Sequence, residues 1–204
     1  MIKKNVSIID YKVGNHSSLE KIFRELKCSV QVTNKISILE KSDLIVLPGV
    51  GTFPVAMKQI NKLELVDFLR DWTKKNKYLL GICLGMHLLC DKSSELTETN
   101  GIGIIPGEIV KMKNSNIHVG WNNVDLIKKN TIFSSFNNEF FYFNHSFIYK
   151  GSTKFQLATS DYKIKVPAII RKKNSFGTQF HPEKSQIVGK KFLKSFMLDI
   201  NNVS

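Results

Sequence analysis

The chain has 204 residues, 42% of them hydrophobic, three cysteines and a formal net charge of +13. That length suits one well-buried domain, residues 1–204. No apolar run reaches the ~18–20 residues of a membrane helix, the lysines lie in scattered pairs without interleaved aromatic rings, and the cysteines are too few and odd in number for a disulfide framework.

The charge therefore reads as solvated surface, and neither nucleic acid nor membrane is expected as a partner. MIKKNVSIIDY lacks the apolar stretch and cleavage site of a signal peptide. With sparse cysteines, a reducing cytoplasm is the expected setting.

In chain order, Val6–Ile9 reads as a buried strand ending in Asp10-Tyr-Lys-Val-Gly14-Asn15. From Ser17 to Leu26, Leu19, Ile22, Phe23 and Leu26 share a helical face, with Ser17 or Ser18 available as cap. Val30–Thr33 and Asp43–Leu47 are short strands, the second almost continuously apolar, as a strand covered on both faces should be. It leads into Pro48-Gly-Val-Gly51, followed by helical patterns over Phe53–Lys62 and Leu65–Lys75. Strands alternating with helices across short Gly-bearing turns predict an α/β fold, with ligand sites at the carboxyl edge of a parallel sheet. The second half changes character. Gly101–Lys111, Asn122–Leu126, Glu139–Tyr149, Gln156–Thr159, Ala168–Lys172 and Ser175–Phe180 read as strands joined by polar turns, before an amphipathic helix over Gly189–Ile200.

The most informative stretch is Tyr78–Asp91, YLLGICLGMHLLCD. An apolar strand breaks at Gly81-Ile-Cys-Leu-Gly85 and resumes as a short helix. Small residues flanking one nucleophile between strand and helix describe a nucleophile elbow. Cys83 would sit at the helix N-terminus, which favours a thiolate. A cysteine nucleophile needs a base, and His181 in Gln179-Phe-His-Pro-Glu183 is the candidate. Pro182 keeps His181 extended, so His181 and Glu183 would share a face and the carboxylate would orient the ring. The competing reading is a surface His-Pro turn. His87, one helical turn after Cys83, is the rival base but lacks an evident orienting carboxylate. Cys83, His87 and Cys90 have metal-like spacing, but binding zinc would disable the thiolate. Pro48–Gly51 is a candidate donor of backbone N–H groups to an oxyanion, together with Leu84. Phosphate binding is the alternative there, without a GxxxxGK[ST] pattern to support it.

Taken together, PGVG at 48–51, GICLGM at 81–86 and HPE at 181–183 resemble the class I (triad) glutamine amidotransferases, over essentially the whole chain. The resemblance implies a flavodoxin-like fold: a central, mostly parallel sheet flanked by helices, with extra antiparallel strands in the second half. It implies that Cys83 attacks the side-chain amide of L-glutamine, with His181 as base and Glu183 orienting it. Gly51 and Leu84 would hold the oxyanion, and Gly49, His87, Ser146 and Phe147 would bind glutamine. No cofactor or metal is implied. Asp10-Tyr11 with Gly14-Asn15, His118-Val-Gly-Trp-Asn122 and Phe141–Phe147 narrow the resemblance to subunits that pass ammonia to a (βα)8-barrel cyclase in histidine biosynthesis. Trp121 and Asn122 match positions at that heterodimer interface. The alternatives are a paralogue that supplies ammonia for amidating a surface-glycan sugar, a non-catalytic binding module, and a cysteine hydrolase on a related sheet.

Two positions depart from the family pattern: Lys12, where Gly is frequent, and His87, where Gln is usual. The first implies a first turn that differs in shape or in docking. A histidine cannot reproduce both hydrogen-bonding roles of an amide in the same way. His87→Gln is therefore expected to lower the KM for glutamine, and an unchanged or higher KM in steady-state assays would sink that expectation.

Overall fold

The structure, a computed structural model, describes residues 4–12, 16–113, 117–127 and 132–202. Gly14 and Asn15 lie outside the described residues. The first half runs β1 (Asn5–Ile9), α1 (His16–Glu25), β2 (Ser29–Thr33), α2 (Ile36–Leu39), β3 (Leu44–Leu47), α3 (Phe53–Lys62), α4 (Leu65–Lys74), β4 (Tyr78–Ile82) and α5 (Leu84–Leu88). The second half runs β5 (Lys92–Ser93), β6 (Thr99–Asn100), β7 (Glu108–Lys111), β8 (His118–Leu126), β9 (Glu139–His145), β10 (Phe147–Lys150), β11 (Gln156–Tyr162), β12 (Ile164–Lys172), β13 (Ser175–Thr178) and α6 (Gln186–Asn202).

A 9-stranded sheet has the order β2-β1-β3-β4-β13-β12-β11-β8-β9. From β2 to β13 every pairing is parallel. From β13 to β9 every pairing is antiparallel. The last strand in the chain is thus inserted beside β4, next to the elbow. Side chains along each parallel strand alternate between two cores. Val6, Ile8, Leu44, Val46, Tyr78, Leu80 and Ile82 pack with α1 and α6. Ile9, Ile45, Leu47 and Leu79 pack with α3, α4 and α5. Burial on both faces explains the continuous apolar runs.

The first core extends beneath the antiparallel strands as a wall of aromatic rings. Phe192 of α6 stacks on Phe133 at 4.7 Å and meets Phe180 at 5.3 Å. Phe141 of β9 lies 4.2 Å from Phe180. Such pairs add about 0.5–1.5 kcal/mol each beyond burial, enough to fix β9 and the segment after β13 against one helix. A 4-stranded sheet of order β10-β7-β5-β6 closes the opposite side.

Several expectations are corrected. Helix α1 begins at His16, so Ser17 and Ser18 lie within its first turn and neither is the cap. The expected strand over Gly101–Lys111 is confined to β7, and the expected Glu139–Tyr149 strand breaks at Ser146, where the chain crosses between sheets. The strand expected over Ala168–Lys172 begins earlier, at Ile164, and runs through Pro167. Pro167 sits opposite Thr159, where the β11 ladder shifts register, and a bulge accommodates the missing N–H. Helix α6 starts at Gln186, one turn earlier than its apolar face indicated. Lys12 adopts φ 65 with its N–H on Asp10 Oδ1 at 3.0 Å. This is the left-handed conformation that a glycine adopts without cost, and the rest of that turn lies outside the described residues.

Lys27 ends α1 at φ 62, with its N–H on the Arg24 carbonyl at 2.9 Å and the Cys28 N–H on the Phe23 carbonyl at 3.0 Å. This paired capping motif favours glycine at the left-handed position. Lys27→Gly should raise unfolding stability by about 1 kcal/mol, measured by urea denaturation.

Candidate functional site

Strand β4 is buried along its length and delivers Cys83 to the carboxyl edge of the parallel sheet. Cys83 has φ 50 and ψ −108, outside the usual helical and extended regions. Its N–H donates to the Thr178 carbonyl at 2.7 Å, and its carbonyl accepts the His87 N–H at 3.1 Å. The turn is this tight only because its neighbours lack side chains. A Cβ on Gly81 would lie 2.4 Å from the Gly85 carbonyl oxygen, and one on Gly85 would lie 2.0 Å from that of Leu47. A Cβ on Gly49 would lie 1.9 Å from the Ile82 carbonyl oxygen and 2.5 Å from Leu84 N. The expected elbow is therefore present, with the turn after β3 packed onto it.

The segment after β13 lies alongside. His181 is extended at φ −100 and ψ 95, and its N–H donates to the Tyr142 carbonyl at 2.9 Å. Its Nδ1 is 2.8 Å from Glu183 Oε1, with both side chains buried. The pairing is as expected, but its geometry differs from an extended i, i+2 contact. Pro182–Lys184 forms a 3-10 turn, which folds the carboxylate back onto the ring. Burial works to lower the His181 pKa, but hydrogen bonds to Cys83 and Glu183 and their charges outweigh it and lift it to about 10. The second Glu183 oxygen is buried without a partner.

Gln179 is the residue that sequence reasoning passed over. Its Nε2 lies 3.9 Å from Cys83 Sγ, and its Oε1 lies 2.9 Å from His87 Nε2. The His87 ring is therefore linked to the Cys83 thiol through Gln179. Burial lowers its pKa to about 4, partly offset by the Gln179 hydrogen bond, so the ring is neutral. The usable signal was parity, since Gln179 stands two residues before His181. Asn144 contributes its carbonyl, 3.7 Å from Cys83 Sγ. Tyr11 is fully buried and donates its hydroxyl to the Pro48 carbonyl. It pins the Pro48–Gly51 turn, and its own ionisation is suppressed by burial and by the nearby Cys83.

Of the expected backbone donors, Leu84 opens α5, so its N–H faces no helical carbonyl. Gly51 is exposed at φ 108, whereas Gly49 is the glycine wedged against the elbow. Ser146 and Phe147 follow β9 directly, and the Ser146 carbonyl accepts the Met112 N–H at 3.0 Å. Trp121 and Asn122 point to opposite faces of β8. Trp121, 47% exposed, shares an open apolar face with Val119 and Phe140. Asn122 faces the other way, towards His118 and the Asp161 carbonyl. Tyr142 links the open face to the site: its ring is 6.2 Å from Trp121 and 6.5 Å from His181. Cys90 does not join Cys83 and His87 as a ligand set. Its thiol donates to the Met86 carbonyl, and no cluster among the described residues is arranged to hold a metal ion.

A buried cysteine on a strained turn, joined to a histidine that a carboxylate orients, can attack a carboxamide and hand a proton to the departing nitrogen. On a doubly wound α/β sheet this defines a class of cysteine-dependent amide-cleaving enzymes. The profile of the family "Glutamine amidotransferase class-I" matches residues 7–200, and the chain belongs to that family. It is 38% identical over 205 residues to a protein of Pelagibacter ubique (strain HTCC1062) named imidazole glycerol phosphate synthase subunit HisH, covering 95% of this chain and 99% of that protein. A protein of the same name from Lacticaseibacillus casei (strain BL23) is 40% identical over 195 residues, covering 94% of each. The fold is similar to a Thermotoga maritima structure described as PurLQS, with TM-score 0.77, 16% identity and all of both chains covered. A structure described as a glutamine amidotransferase gives TM-score 0.76 at 14% identity, covering 96% of this chain and 98% of the other.

Because Cys83 and Glu183 both raise the His181 pKa, removing either should lower it. Cys83→Ala and Glu183→Gln are each expected to shift the imidazole titration to lower pH, followed by NMR. A midpoint that rises or stays put would contradict the pairing.

Proposed function

We propose that this chain is the glutaminase subunit of an imidazole glycerol phosphate synthase, a single amidotransferase domain that makes ammonia for a (βα)8-barrel cyclase in histidine biosynthesis. The observation that carries the reading is the Cys83–His181–Glu183 cluster, assembled at one sheet edge on a nucleophile elbow. The full-length similarity to proteins named as that subunit supports the choice of acceptor pathway.

The chemistry proceeds in two halves. Cys83 Sγ attacks the side-chain carbonyl carbon of L-glutamine. The N–H of Leu84 and the N–H groups of the Gly49–Gly51 turn take up the negative charge on oxygen. His181 passes a proton to the nitrogen, the C–N bond breaks, and ammonia leaves a thioester on Cys83. Water, deprotonated by His181, then attacks the thioester and releases glutamate. Glu183 holds the imidazole in position and stabilises its charged form in both halves. Gln179 donates to the sulfur, and His87 orients Gln179 from behind, so His87 acts on substrate binding at one remove. Ser146 and Phe147 supply the contact to the amino-acid end of glutamine.

The open face carrying Val119, Trp121 and Phe140 is the proposed docking surface for the cyclase. The ring contacts of Tyr142 with Trp121 and His181 support that choice of surface. Sealing that surface keeps the product dry and unprotonated, which direct transfer requires. No described helix is long and apolar enough to cross a membrane. A reducing cytoplasm is the setting that keeps Cys83 a free thiol.

Cys83→Ala should reduce glutamine-dependent synthesis by at least about 10⁴-fold. It should leave ammonia-driven synthesis by the assembled enzyme near the wild-type rate. Loss of both activities would count against a two-site design. Rescue of a histidine auxotroph by the wild-type gene, together with its cyclase, separates the histidine pathway from a sugar-amidating one.

A further inference from the structure

Behind the nucleophile lies a second buried polar chain that the chemistry above does not use. His118 of β8 and His145 of β9 stand opposite each other in the ladder. His118 Nδ1 is 3.0 Å from His145 Nε2, and His145 Nδ1 is 2.9 Å from the Phe147 carbonyl oxygen. At the other end, Asn122 Nδ2 is 3.5 Å from His118 Nε2.

The direction of every hydrogen bond follows from the chain's ends. A carbonyl oxygen only accepts, so His145 Nδ1 carries a proton. In the neutral ring His145 Nε2 then accepts, His118 Nδ1 donates, and His118 Nε2 is left to accept. The far end independently demands the same polarity. Asn122 Oδ1 accepts the Asn123 N–H at 2.9 Å, and Asn122 Nδ2 donates to the Asp161 carbonyl at 2.8 Å. The amide orientation is thereby fixed, and its remaining N–H faces His118 Nε2. The His118 ring cannot turn to relax this order. It is stacked between Phe143 and Tyr162, with centroids at 4.5 and 4.0 Å, and the Tyr162 hydroxyl is held by the Ile117 carbonyl at 3.0 Å. Burial lowers the pKa of His118 to about 4 and that of His145 to about 3, so both rings are neutral. For His145, the neighbouring imidazoles of His118, His87 and His181 also disfavour a proton, with only the Phe147 carbonyl opposing.

The chain starts on the strand whose other face is open and apolar. It ends at the Ser146–Phe147 crossing, which begins two residues beyond the Asn144 carbonyl that touches Cys83 Sγ. We propose that His118 and His145 are positioning residues: a one-way hydrogen-bond chain, anchored at Asn122, that holds the Ser146–Phe147 turn in its glutamine-binding geometry. Neither ring touches the reacting atoms. The proposal rests on the glutamine amidotransferase reading and adds to it a specific determinant of substrate affinity.

His118→Phe keeps the aromatic stack and removes both ring nitrogens. In the assembled enzyme it should raise the glutamine KM about tenfold while kcat changes less than about twofold. His118→Asn returns a donor near the Nδ1 position and should hold KM within about threefold of wild type. Alkylation of Cys83 by iodoacetamide, which has no amino-acid end, should proceed at the wild-type rate in His118→Phe. Labelling by a glutamine-mimicking chloroketone should slow about tenfold. An unchanged KM, or equal slowing of both reagents, would overturn the proposal while wild-type turnover of glutamine leaves the enzymatic reading standing. Absence of wild-type turnover would sink both. On the unmutated protein, imidazole ¹⁵N shifts should report two neutral rings protonated at Nδ1. An Nε2–H tautomer at His145 would overturn the assignment without any variant having to fold.

Discussion

Everything in this site depends on the backbone conformation of Cys83. A non-glycine residue at φ 50 and ψ −108 is held against its own preference, a strain of order 1–3 kcal/mol that persists only when the surroundings over-determine it. Here they do. Three glycines from two turns, Gly49, Gly81 and Gly85, approach neighbouring backbone atoms more closely than any Cβ would permit. The Thr178 carbonyl takes the Cys83 N–H from the other side. The same close approach brings the Pro48–Gly51 turn against Leu84, so the strain at Cys83 and the placement of that turn are one packing event. Tyr11 adds a hydrogen bond from β1's end that ties Pro48 to the first turn.

The site is a product of both halves of the chain. The parallel half supplies the elbow and the donor turn. The antiparallel half supplies His181, Glu183, Gln179 and the Asn144 carbonyl. What joins them is the position of β13, the last strand in sequence, which pairs with β4 in parallel. The aromatic wall under β9, the post-β13 segment and α6 then fixes the second half's contribution. Three hydrogen-bonded lines converge on the region of Cys83. Glu183 reaches it through His181, and His87 through Gln179. The line from Asn122 through His118 and His145 ends at the adjoining turn. Each carries a buried imidazole whose protonation is set by its partners: His181 is biased towards the charged form, while His87, His118 and His145 are held neutral.

Much of this was legible in the linear chain because its signals are local. A strand buried on both faces must be apolar throughout, so β3 and β4 announced themselves. An elbow needs small residues at fixed offsets from its nucleophile, so Gly81 and Gly85 marked Cys83. Proline restricts its predecessor, so Pro182 marked His181 as extended. The errors have equally local causes. The strand expected from Ala168 was too short because only a register shift in the neighbouring strand, invisible from position 167, lets a central strand run through a proline. Ser17 and Ser18 suggested a helix cap by residue type, yet α1 already begins at His16.

The sequence by itself determined the strand–helix alternation of the first half, the elbow at Cys83 and the closeness of His181 to Glu183, because each follows from spacing within a few residues. Only the tertiary structure decided that Gln179 stands between His87 and the sulfur, that Tyr11 holds Pro48, and that Asn122 turns away from Trp121 into a chain of imidazoles. Those contacts join residues between 4 and 96 positions apart. They are set by strand order and register, and no local periodicity encodes which distant side chains a register brings face to face.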